Sequence, residues 1–328
     1  MVSTDNEDAE LDQILDKHFK NKFRSGYVNI KGFSMPKRFE DMQEDIYNWN
    51  VLSDKDVWIS SFPKTGTTWT QEMVWMILNN LDAVKGQENL GFRVPFLELS
   101  AIFDHRESIK NNPDFDPPEF LADSIKYCKS LKSPVCLKTH LPWCLMPKHI
   151  QEGTRKPKII YVTRNPKDTC VSYFNHAKLL EGYSGTFDDF CRLFLAGKLT
   201  YTPFWEHIFP YWERRHQSNI LFVKYEEMIK DLPTVIRRVA QFLEKDLTDQ
   251  QVAFLTDHLS FASMKKNRSV NYDTLVEFNK KHNLTNFDGA FMNSGTVGSH
   301  KTKMSPEWIE KFDAWTEEHL KGSLYSLE

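Results

Sequence analysis

One stretch of twelve residues constrains this chain more than any other, the run Trp-Ile-Ser-Ser-Phe-Pro-Lys-Thr-Gly-Thr-Thr-Trp at 58–69. It predicts a buried strand, a tight loop that cradles phosphate, and the first turn of a helix. In the nucleoside-triphosphate loop, G-x-x-x-x-G-K-[ST], the lysine follows the second glycine. Here Lys64 stands two residues before Gly66. The run therefore predicts an adenosine-phosphate ligand whose reacting group is not a γ-phosphate, and a kinase is a remote alternative.

Length and composition indicate a globular protein. The 328 residues suffice for one large α/β domain or two small ones, and 40% apolar content supports a sizeable core. The net charge of −3 lacks the basic excess with which nucleic-acid binders contact phosphates. Composition therefore argues against a nucleic-acid partner.

Targeting and redox features predict a cytoplasmic location. The N-terminal residues are acidic and polar, unlike a signal peptide. No stretch approaches the roughly 20 apolar residues of a membrane span, so no membrane association is expected. The five cysteines form no C-x-x-C pair, which fits free thiols in a reducing compartment. No histidine, cysteine and glutamate set has the spacing of a metal site, so no metal is expected.

Alternating strand and helix patterns predict the fold. Short apolar runs predict strands at 57–62, 135–138, 158–162 and 219–223. Helix signals occur near 8–20, 38–49, 67–81, 166–180, 233–243, 249–257 and 306–319. This alternation is typical of a mostly parallel sheet flanked by helices, here one α/β domain over 1–328 with an N-terminal arm at 1–30. Segments 82–122 and 267–303 are predicted to be loop or lid regions.

Polar side chains follow each predicted strand at its carboxyl end, where open parallel sheets bind their ligands. They are Lys64, Lys138, His140, Arg164 and Tyr225. The convergence of cations with a histidine predicts an anion site with His140 as a candidate general base.

Simpler structural explanations exist for several of these residues. Lys64 by itself could be a solvated lysine, and His140 a structural histidine. Thr67 and Thr68 could cap the helix, which is compatible with phosphate binding. Trp69 is most simply a core residue, although an aromatic ring after a phosphate loop can also stack on a base.

Five segments together resemble the cytosolic sulfotransferases in order and approximate spacing. The segments are FPKTGTTW (62–69), KTHLP (138–142), RNPKDTCVSY (164–173), VKYEEM (223–228) and GTVGSHK (295–301). The resemblance extends from about residue 30 to 320 and implies the P-loop-like sulfotransferase fold. The details are similar to the insect cytosolic branch, which includes a retinol dehydratase.

The resemblance implies 3′-phosphoadenosine 5′-phosphosulfate (PAPS) as sulfuryl donor, adenosine 3′,5′-bisphosphate (PAP) as product, and a small lipophilic phenol, alcohol or amine as acceptor. It assigns the 5′-phosphosulfate to Lys64, Thr65, Gly66, Thr67 and Thr68. It assigns adenine stacking to Trp69, the 3′-phosphate to Arg164 and Ser172, and other nucleotide contacts to Tyr225, Leu259 and Phe261. His140 is implied to take the acceptor proton while Lys64 and Lys138 stabilise the transferring group.

The chain departs from the family pattern around the 3′-phosphate. The usual Arg-Lys-Gly reads Asn293-Ser294-Gly295, and the Asp-Trp after Gly298 reads Ser-His. Losing two cations removes charge-assisted hydrogen bonds. The sequence therefore predicts weaker PAPS binding than is usual for the family. Lys265, Lys266 and Arg268 are candidate replacements.

Other departures leave further alternatives open. Leu259 replaces a threonine that contacts the nucleotide, and the dimerisation segment keeps Lys301 and Glu310 but has Ser305-Pro306 at its centre. A homodimer is therefore left open. Besides a sulfotransferase, the sequence permits a PAPS-dependent dehydratase of an alcohol, or a degenerate binder of lipophilic molecules. An aromatic acceptor pocket is predicted from 33–35, 92–103, Phe174, Phe278 and Phe287, and its composition suggests a flat or polyene-like acceptor.

Overall fold

The computed structural model describes residues 5–49, 53–285, 287–292 and 294–327. The strands are β1 (Tyr27–Ile30), β2 (Phe33–Pro36), β3 (Val57–Ser61), β4 (Cys136–Thr139), β5 (Lys158–Thr163) and β6 (Ile220–Lys224). The helices are α1 (Asp5–Phe19), α2 (Gln43–Tyr47), α3 (Thr67–Leu78), α4 (Leu90–Arg93), α5 (Leu99–Ile102), α6 (Arg106–Asn111), α7 (Glu119–Ala122), α8 (Ser124–Ser130), α9 (Lys148–Gln151), α10 (Pro166–Leu180), α11 (Phe187–Leu195), α12 (Phe204–Glu213), α13 (Tyr225–Lys230), α14 (Leu232–Phe242), α15 (Asp249–His258), α16 (Phe261–Lys266), α17 (Asp273–Lys281), α18 (His300–Lys303) and α19 (Pro306–Leu320). Short 3₁₀ turns occur at Lys37–Asp41, Lys85–Gln87 and Trp143–Leu145.

A four-stranded parallel sheet in the order β4-β3-β5-β6 forms the centre of the fold, and it confirms the predicted α/β class. The chain runs from β3 to one neighbour, β4, and then crosses to the other side at β5. This reversal makes the crevice between the carboxyl ends of β3 and β5 the expected ligand site of such a sheet. Lys64 follows β3 and Arg164 follows β5.

Helices cover both faces of this sheet because its strands alternate their side chains between two apolar cores. Trp58 and Tyr161 contribute to the larger core, and Ile59 and Ile160 to the smaller one. All four are fully buried. Strands buried on both faces read as continuous apolar runs, which is why β3 and β5 were predictable.

The structure corrects several predicted elements. A β1–β2 hairpin within 27–36 was not predicted, and the predicted helix at 38–49 divides into a 3₁₀ turn and α2. Helix α3 ends at Leu78 rather than 81 because Asn80 and Leu81 have positive φ angles. The predicted N-terminal arm packs into the larger core through Leu11 and Leu15 of α1.

The two segments predicted as loops contain helices. Residues 82–122 form α4 to α7, each of four to six residues, and 267–303 contains the nine-residue α17. Short helices carry little periodicity of their own, so packing decides them. Among the described residues, no helix has the length and apolar character needed to cross a membrane.

Candidate active site

A cavity of about 1200 Å³ opens at the carboxyl edge of the sheet. The predicted site residues in its wall are Lys64, Gly66, Thr67, Thr68, Trp69, Lys138, His140, Arg164, Ser172, Tyr225, Leu259, Phe261, Ser294 and Gly295. Thr65 does not line it, and Asn293 lies outside the described residues. As their positions at the carboxyl ends of strands predicted, the cations and His140 line the same cavity.

The loop after β3 is shaped by its backbone conformation. Gly66 has φ 107°, and a Cβ added there would lie 2.8 Å from Cδ2 of Tyr225, so only glycine fits. Lys64 has φ 68°, a left-handed conformation that is strained for a residue with a side chain. Helix α3 begins at Thr67, its first N–H groups have no partner within the helix, and Thr67 and Thr68 line the same cavity as this loop. The loop and helix start together form an anion cradle.

Thr65 stabilises the loop through a side chain that points away from the cavity. Its hydroxyl oxygen lies 2.8 Å from the Phe62 carbonyl oxygen and 2.9 Å from that of Val162. The hydroxyl is therefore occupied in joining the loop to β5. Any role of Thr65 in holding phosphate is limited to its backbone.

His140 is held in one orientation and one tautomer. Its Nδ1 lies 2.7 Å from the carbonyl oxygen of Ser61, which can only accept a hydrogen bond. Nδ1 therefore carries the proton, and Nε2 keeps a free lone pair with no hydrogen-bond partner among the described residues. Burial lowers the pKa of His140 well below its usual range, and the Lys138 cation lowers it further. The imidazole is thus a neutral proton acceptor in the cavity wall.

Glu98 supports the strand end that carries His140. Its carboxylate accepts hydrogen bonds from the His140 backbone N–H at 2.6 Å, the Thr139 hydroxyl at 2.9 Å and the Tyr201 hydroxyl at 3.1 Å. Burial raises the pKa of Glu98 to about 7, although these hydrogen bonds favour its ionised form. A buried carboxyl with three donors fixes the backbone position of His140.

Two lysines adjoin the histidine. Burial, with the Lys138 and Arg164 cations nearby, lowers the pKa of Lys64 to about 7, and burial lowers that of Lys138 to about 8. The Lys64 ammonium lies 3.6 Å from the centre of the Phe291 ring, and that of Lys138 lies 4.3 Å from the Phe96 ring. Cations crowded together at reduced pKa favour an anionic ligand, which relieves their repulsion.

Arg164 belongs to a network that also holds residues 296–300. It donates to the Thr296 carbonyl oxygen at 3.0 Å, and it lies 3.9 Å from Asp168 on α10. Asp168 accepts from the Gly298 backbone N–H at 2.7 Å and from the His300 ring at 2.7 Å. Nε of Arg164 is buried without a hydrogen-bond partner among the described residues, and such a group calls for an acceptor from outside the chain.

An apolar wall lies beside the phosphate loop. The Trp69 indole donates to the Leu259 carbonyl oxygen at 2.8 Å, and its ring meets Tyr225 edge-on at 5.7 Å. Gly295 has φ 61°, and a Cβ there would lie 2.3 Å from Cδ2 of Phe261. The Phe261 ring thus packs directly on the backbone at Gly295, where only a glycine leaves enough room.

The predicted acceptor walls are partly correct. Phe174, Phe278 and residues within 92–103 line the cavity, whereas 33–35 and Phe287 do not. Phe33 and Met35 are instead buried in the larger core because β2 packs there. Cavity-lining aromatic residues that the sequence did not single out are Phe120, Tyr173, Phe187, Tyr201, Tyr272 and Phe291.

Four polar residues in or beside the site were not predicted as site residues from the sequence. Glu98 lies in a segment predicted as a loop, and Ser61 was visible only as a strand residue. The pair Glu181 and His176 lines the cavity, with His176 Nε2 3.4 Å from the carboxylate. A lone acid outside any motif gives no hint of burial, so packing alone reveals it. Within the described ranges, no group of histidine, cysteine and acidic residues could hold a metal ion.

Comparison with known proteins agrees with this geometry. Residues 54–324 match the family described as Sulfotransferase domain. The chain is 41% identical over 321 residues to the luciferin sulfotransferase of Photinus pyralis. This match covers 97% of this chain and 86% of that protein. The chain is 33% identical over 307 residues to the amine sulfotransferase of Oryctolagus cuniculus, covering 91% and 92% of the two chains.

A solved structure of retinol dehydratase with retinol and PAP is 29% identical, with a TM-score of 0.85, and covers 97% of this chain and 96% of that one. Both the sequence match and the fold thus extend over nearly the whole chain. The chain therefore belongs to the sulfotransferase family, enzymes that take the sulfuryl group from PAPS.

Proposed function

We propose that this enzyme transfers the sulfuryl group of PAPS to the hydroxyl or amine of a small lipophilic acceptor, with His140 as general base and Lys64 and Lys138 stabilising the transferring group. The observation that carries the proposal is the tautomer of His140. Because Nδ1–H donates to the Ser61 carbonyl oxygen at 2.7 Å, Nε2 is the basic atom. Lys64 and Lys138 line the same cavity.

The proposed step is an in-line displacement at sulfur. The acceptor oxygen forms a bond to sulfur while the bond from sulfur to the 5′-phosphate oxygen breaks, and PAP leaves with the electron pair. His140 Nε2 takes the acceptor proton, and the negative charge of the bound phosphosulfate raises its pKa for this purpose. Lys64 and Lys138 stabilise charge on the sulfuryl and leaving oxygens. By analogy with phosphoryl transfer, positioning and electrostatics supply most of the catalysis.

We assign the nucleotide contacts from the residues that line the cavity. We assign the 5′-phosphosulfate to Lys64, Gly66, Thr67, Thr68 and the backbone of Thr65. Trp69, Tyr225, Leu259 and Phe261 form the apolar wall for the adenosine, and Arg164, Ser172, Ser294 and Gly295 lie at the 3′-phosphate. The buried, unpartnered Nε of Arg164 and the close approach of Phe261 to Gly295 support this assignment.

The acceptor is proposed to be flat and lipophilic. The side chains of Phe96, Phe103, Phe174, Tyr201 and Phe278 line the cavity. Aromatic rings bury large apolar areas and pack against planar ligands. The relatives named for luciferin and retinol are consistent with a small apolar alcohol or phenol.

Replacing the base tests the catalytic assignment. We expect His140→Ala to lower turnover of PAPS with a simple phenol by about 10²–10⁴-fold, because proton removal in the transition state is lost. Calorimetry should show nearly unchanged PAP binding, since His140 is not assigned to the nucleotide. His149→Ala, at a histidine outside the cavity wall, is the matched control. Wild-type turnover by His140→Ala would show that the base is wrongly assigned.

A second candidate is a PAPS-dependent dehydratase, favoured by the TM-score of 0.85 with retinol dehydratase. Sulfation of an allylic alcohol creates a good leaving group. Loss of sulfate and a neighbouring proton then gives an alkene. Mass spectrometry of the products formed from an allylic alcohol and PAPS separates the two candidates. A sulfate ester indicates transfer alone. Free sulfate together with a dehydrated product indicates elimination.

A degenerate binder of lipophilic molecules would consume no PAPS. The presence of His140, Lys64 and Lys138 in one cavity wall argues against it.

A cytoplasmic location stays a proposal that rests on the odd number of cysteines without a C-x-x-C pair. Fractionation of cells that express the tagged chain would measure it.

A further inference from the structure

The 3′-phosphate end of the cavity lacks the arginine-lysine pair expected of the resemblance. Ser294 lines the cavity there, and its hydroxyl accepts from the Thr296 hydroxyl at 3.1 Å. A serine supplies no charge, so Arg164 would face a dianionic phosphate without the second and third cations. A phosphate monoester carries about −1.5 to −2 charges at pH 7, which one guanidinium does not neutralise.

The cations proposed from sequence do not fill this place. Nη2 of Arg268 donates to both Glu277 carboxylate oxygens, at 2.7 and 3.0 Å, on the exposed surface. Lys265 lies 5.9 Å from the Phe261 ring. Neither of them, nor Lys266, lines the cavity.

Lys303 is a further cation of the cavity wall. Among the described residues the lysines and arginines that line the cavity are Lys64, Lys138, Arg164 and Lys303. Lys303 is exposed and forms no ion pair with a described residue. The carboxylate found in the described wall, Glu181, is paired with Arg24 at 2.8 Å and does not compete for it.

The position of Lys303 is fixed by the same carboxylate that contacts Arg164. Lys303 is the last residue of α18, and Asp168 holds the start of this helix. Asp168 accepts from the Ser299 hydroxyl at 3.1 Å and from the His300 backbone N–H at 3.0 Å, and it lies 3.9 Å from Arg164. Where the resemblance leads one to expect Asp-Trp, this chain has Ser299-His300, and the side chains of both residues bind Asp168.

Helix α18 is also held at its other end. The residue after Lys303, Met304, is buried in the larger core. Lys303 therefore projects from a turn that is fixed on both sides, while its flexible four-carbon stem allows the ammonium to reach a phosphate.

We propose that Lys303 is a nucleotide-binding residue that pairs with Arg164 on the 3′-phosphate and replaces the missing arginine-lysine pair. This inference rests on the proposed function, because it requires an adenosine 3′,5′-bisphosphate in the cavity. It adds a specificity residue from α18 that no motif of the sequence indicated.

Calorimetric titration with PAP and with adenosine 5′-monophosphate tests the proposal. We expect Lys303→Gln to weaken PAP binding by roughly 10-fold, the effect of one charge-assisted contact to phosphate. Binding of adenosine 5′-monophosphate should not change, because it lacks the 3′-phosphate. Lys301→Gln removes the same charge from the same short helix at a residue outside the cavity wall, so it should affect neither ligand.

Rescue provides the second arm of the test. Ser294→Lys in the Lys303→Gln background should restore PAP affinity to near the wild-type value, because it returns a cation to the cavity wall. Equal binding of PAP by wild type and Lys303→Gln would overturn the role of Lys303, as would an equal loss for both ligands. If wild type binds the two nucleotides equally, the 3′-phosphate site itself is absent and the proposed nucleotide assignment fails with it.

Discussion

At the scale of single residues, the surroundings of Lys64 decide what the loop can bind. Its ammonium lies beside Lys138 and Arg164 and over the Phe291 ring, and its pKa is lowered to about 7. A lysine with this pKa is half protonated near neutrality. An anion beside it restores the ordinary pKa, so binding of the anion takes up a proton.

The pH dependence of PAP affinity follows from this linkage. Since the anion prefers the protonated lysine, affinity is highest below the pKa of about 7 and falls as pH rises through it. We expect the fall in wild type to begin near pH 7. In Lys64→Arg it should be delayed to about pH 8, where Lys138 deprotonates, because arginine stays charged.

The fall in affinity is measured by calorimetry between pH 7 and 9. This range lies above about pH 6, where the phosphates of the ligand themselves titrate. Adenosine without phosphate is the control, and its affinity should be independent of pH. An identical pH profile for wild type and Lys64→Arg would rule out titration of Lys64 as the cause.

The sequence predicted that Lys64, Lys138 and Arg164 share a site because they stand at the carboxyl ends of strands, and all three line one cavity. Parallel strands present their carboxyl ends at one edge, so Lys64, Lys138 and Arg164 had to converge. Glu98 and Lys303 stand on short helices or loops, where no local rule fixes the direction of a side chain. Their roles appear only after the chain is packed.

At the scale of elements, a buried ion pair joins the N-terminal part of the chain to the end of α10. Arg24 lies 2.8 Å from the Glu181 carboxylate and also donates to the Tyr27 hydroxyl at 2.7 Å. Both charged side chains are almost fully buried. Glu181 caps α10 and lines the cavity beside His176, so the pair couples the arm to the cavity wall.

Breaking this pair should destabilise the fold. We expect Arg24→Met to lower the free energy of unfolding by about 3–5 kcal/mol, because it leaves the buried Glu181 charge without its arginine partner and with only His176 nearby. The control is Lys20→Met, which removes the exposed Lys20–Asp16 pair and should change the free energy by about 1 kcal/mol or less. Urea denaturation followed by circular dichroism gives both values. Similar small effects for both variants would show that Glu181 is solvated or protonated instead.

The elements themselves were predictable in proportion to their length and periodicity. Helices α10 and α19, each of 15 residues, match the predictions within one residue because a proline starts each of them. The hairpin β1–β2 and helix α17 were missed. Helix α17 buries Val276 and Asn279 while Leu275 and Phe278 pack on the larger core, so it depends on tertiary contacts.

At the scale of the whole molecule, the segment that the resemblance assigns to dimerisation leads into α19, which contacts α11 of the same chain. Ser305 caps α19 by accepting from the Trp308 backbone N–H at 3.3 Å, and the Trp308 indole donates to Asp188 at 2.7 Å. Pro306 is the first residue of α19. The Trp308–Asp188 contact joins the first turn of α19 to α11 of the same chain, while Ser305 and Pro306 stay exposed.

We expect a monomer of 38.6 kDa at micromolar concentration, since Ser305-Pro306 stands where the resemblance leads one to expect Thr-Val at the centre of the segment. Sedimentation equilibrium measures the mass. Twice this mass would show that the chain dimerises, and a return to the monomer mass in Lys301→Glu would then place the contact at this segment.

The sequence alone determined the α/β class, the four parallel strands and the ligand edge with its histidine and cations. These features follow from local rules, since apolar runs form buried strands and parallel strands align their ends. Tertiary structure alone decided the tautomer of His140 through Ser61, the burial of Glu98, and the place of Lys303 in the cavity wall. Each depends on atoms far apart in sequence, whose separation is set by how the cores pack and not by any local pattern.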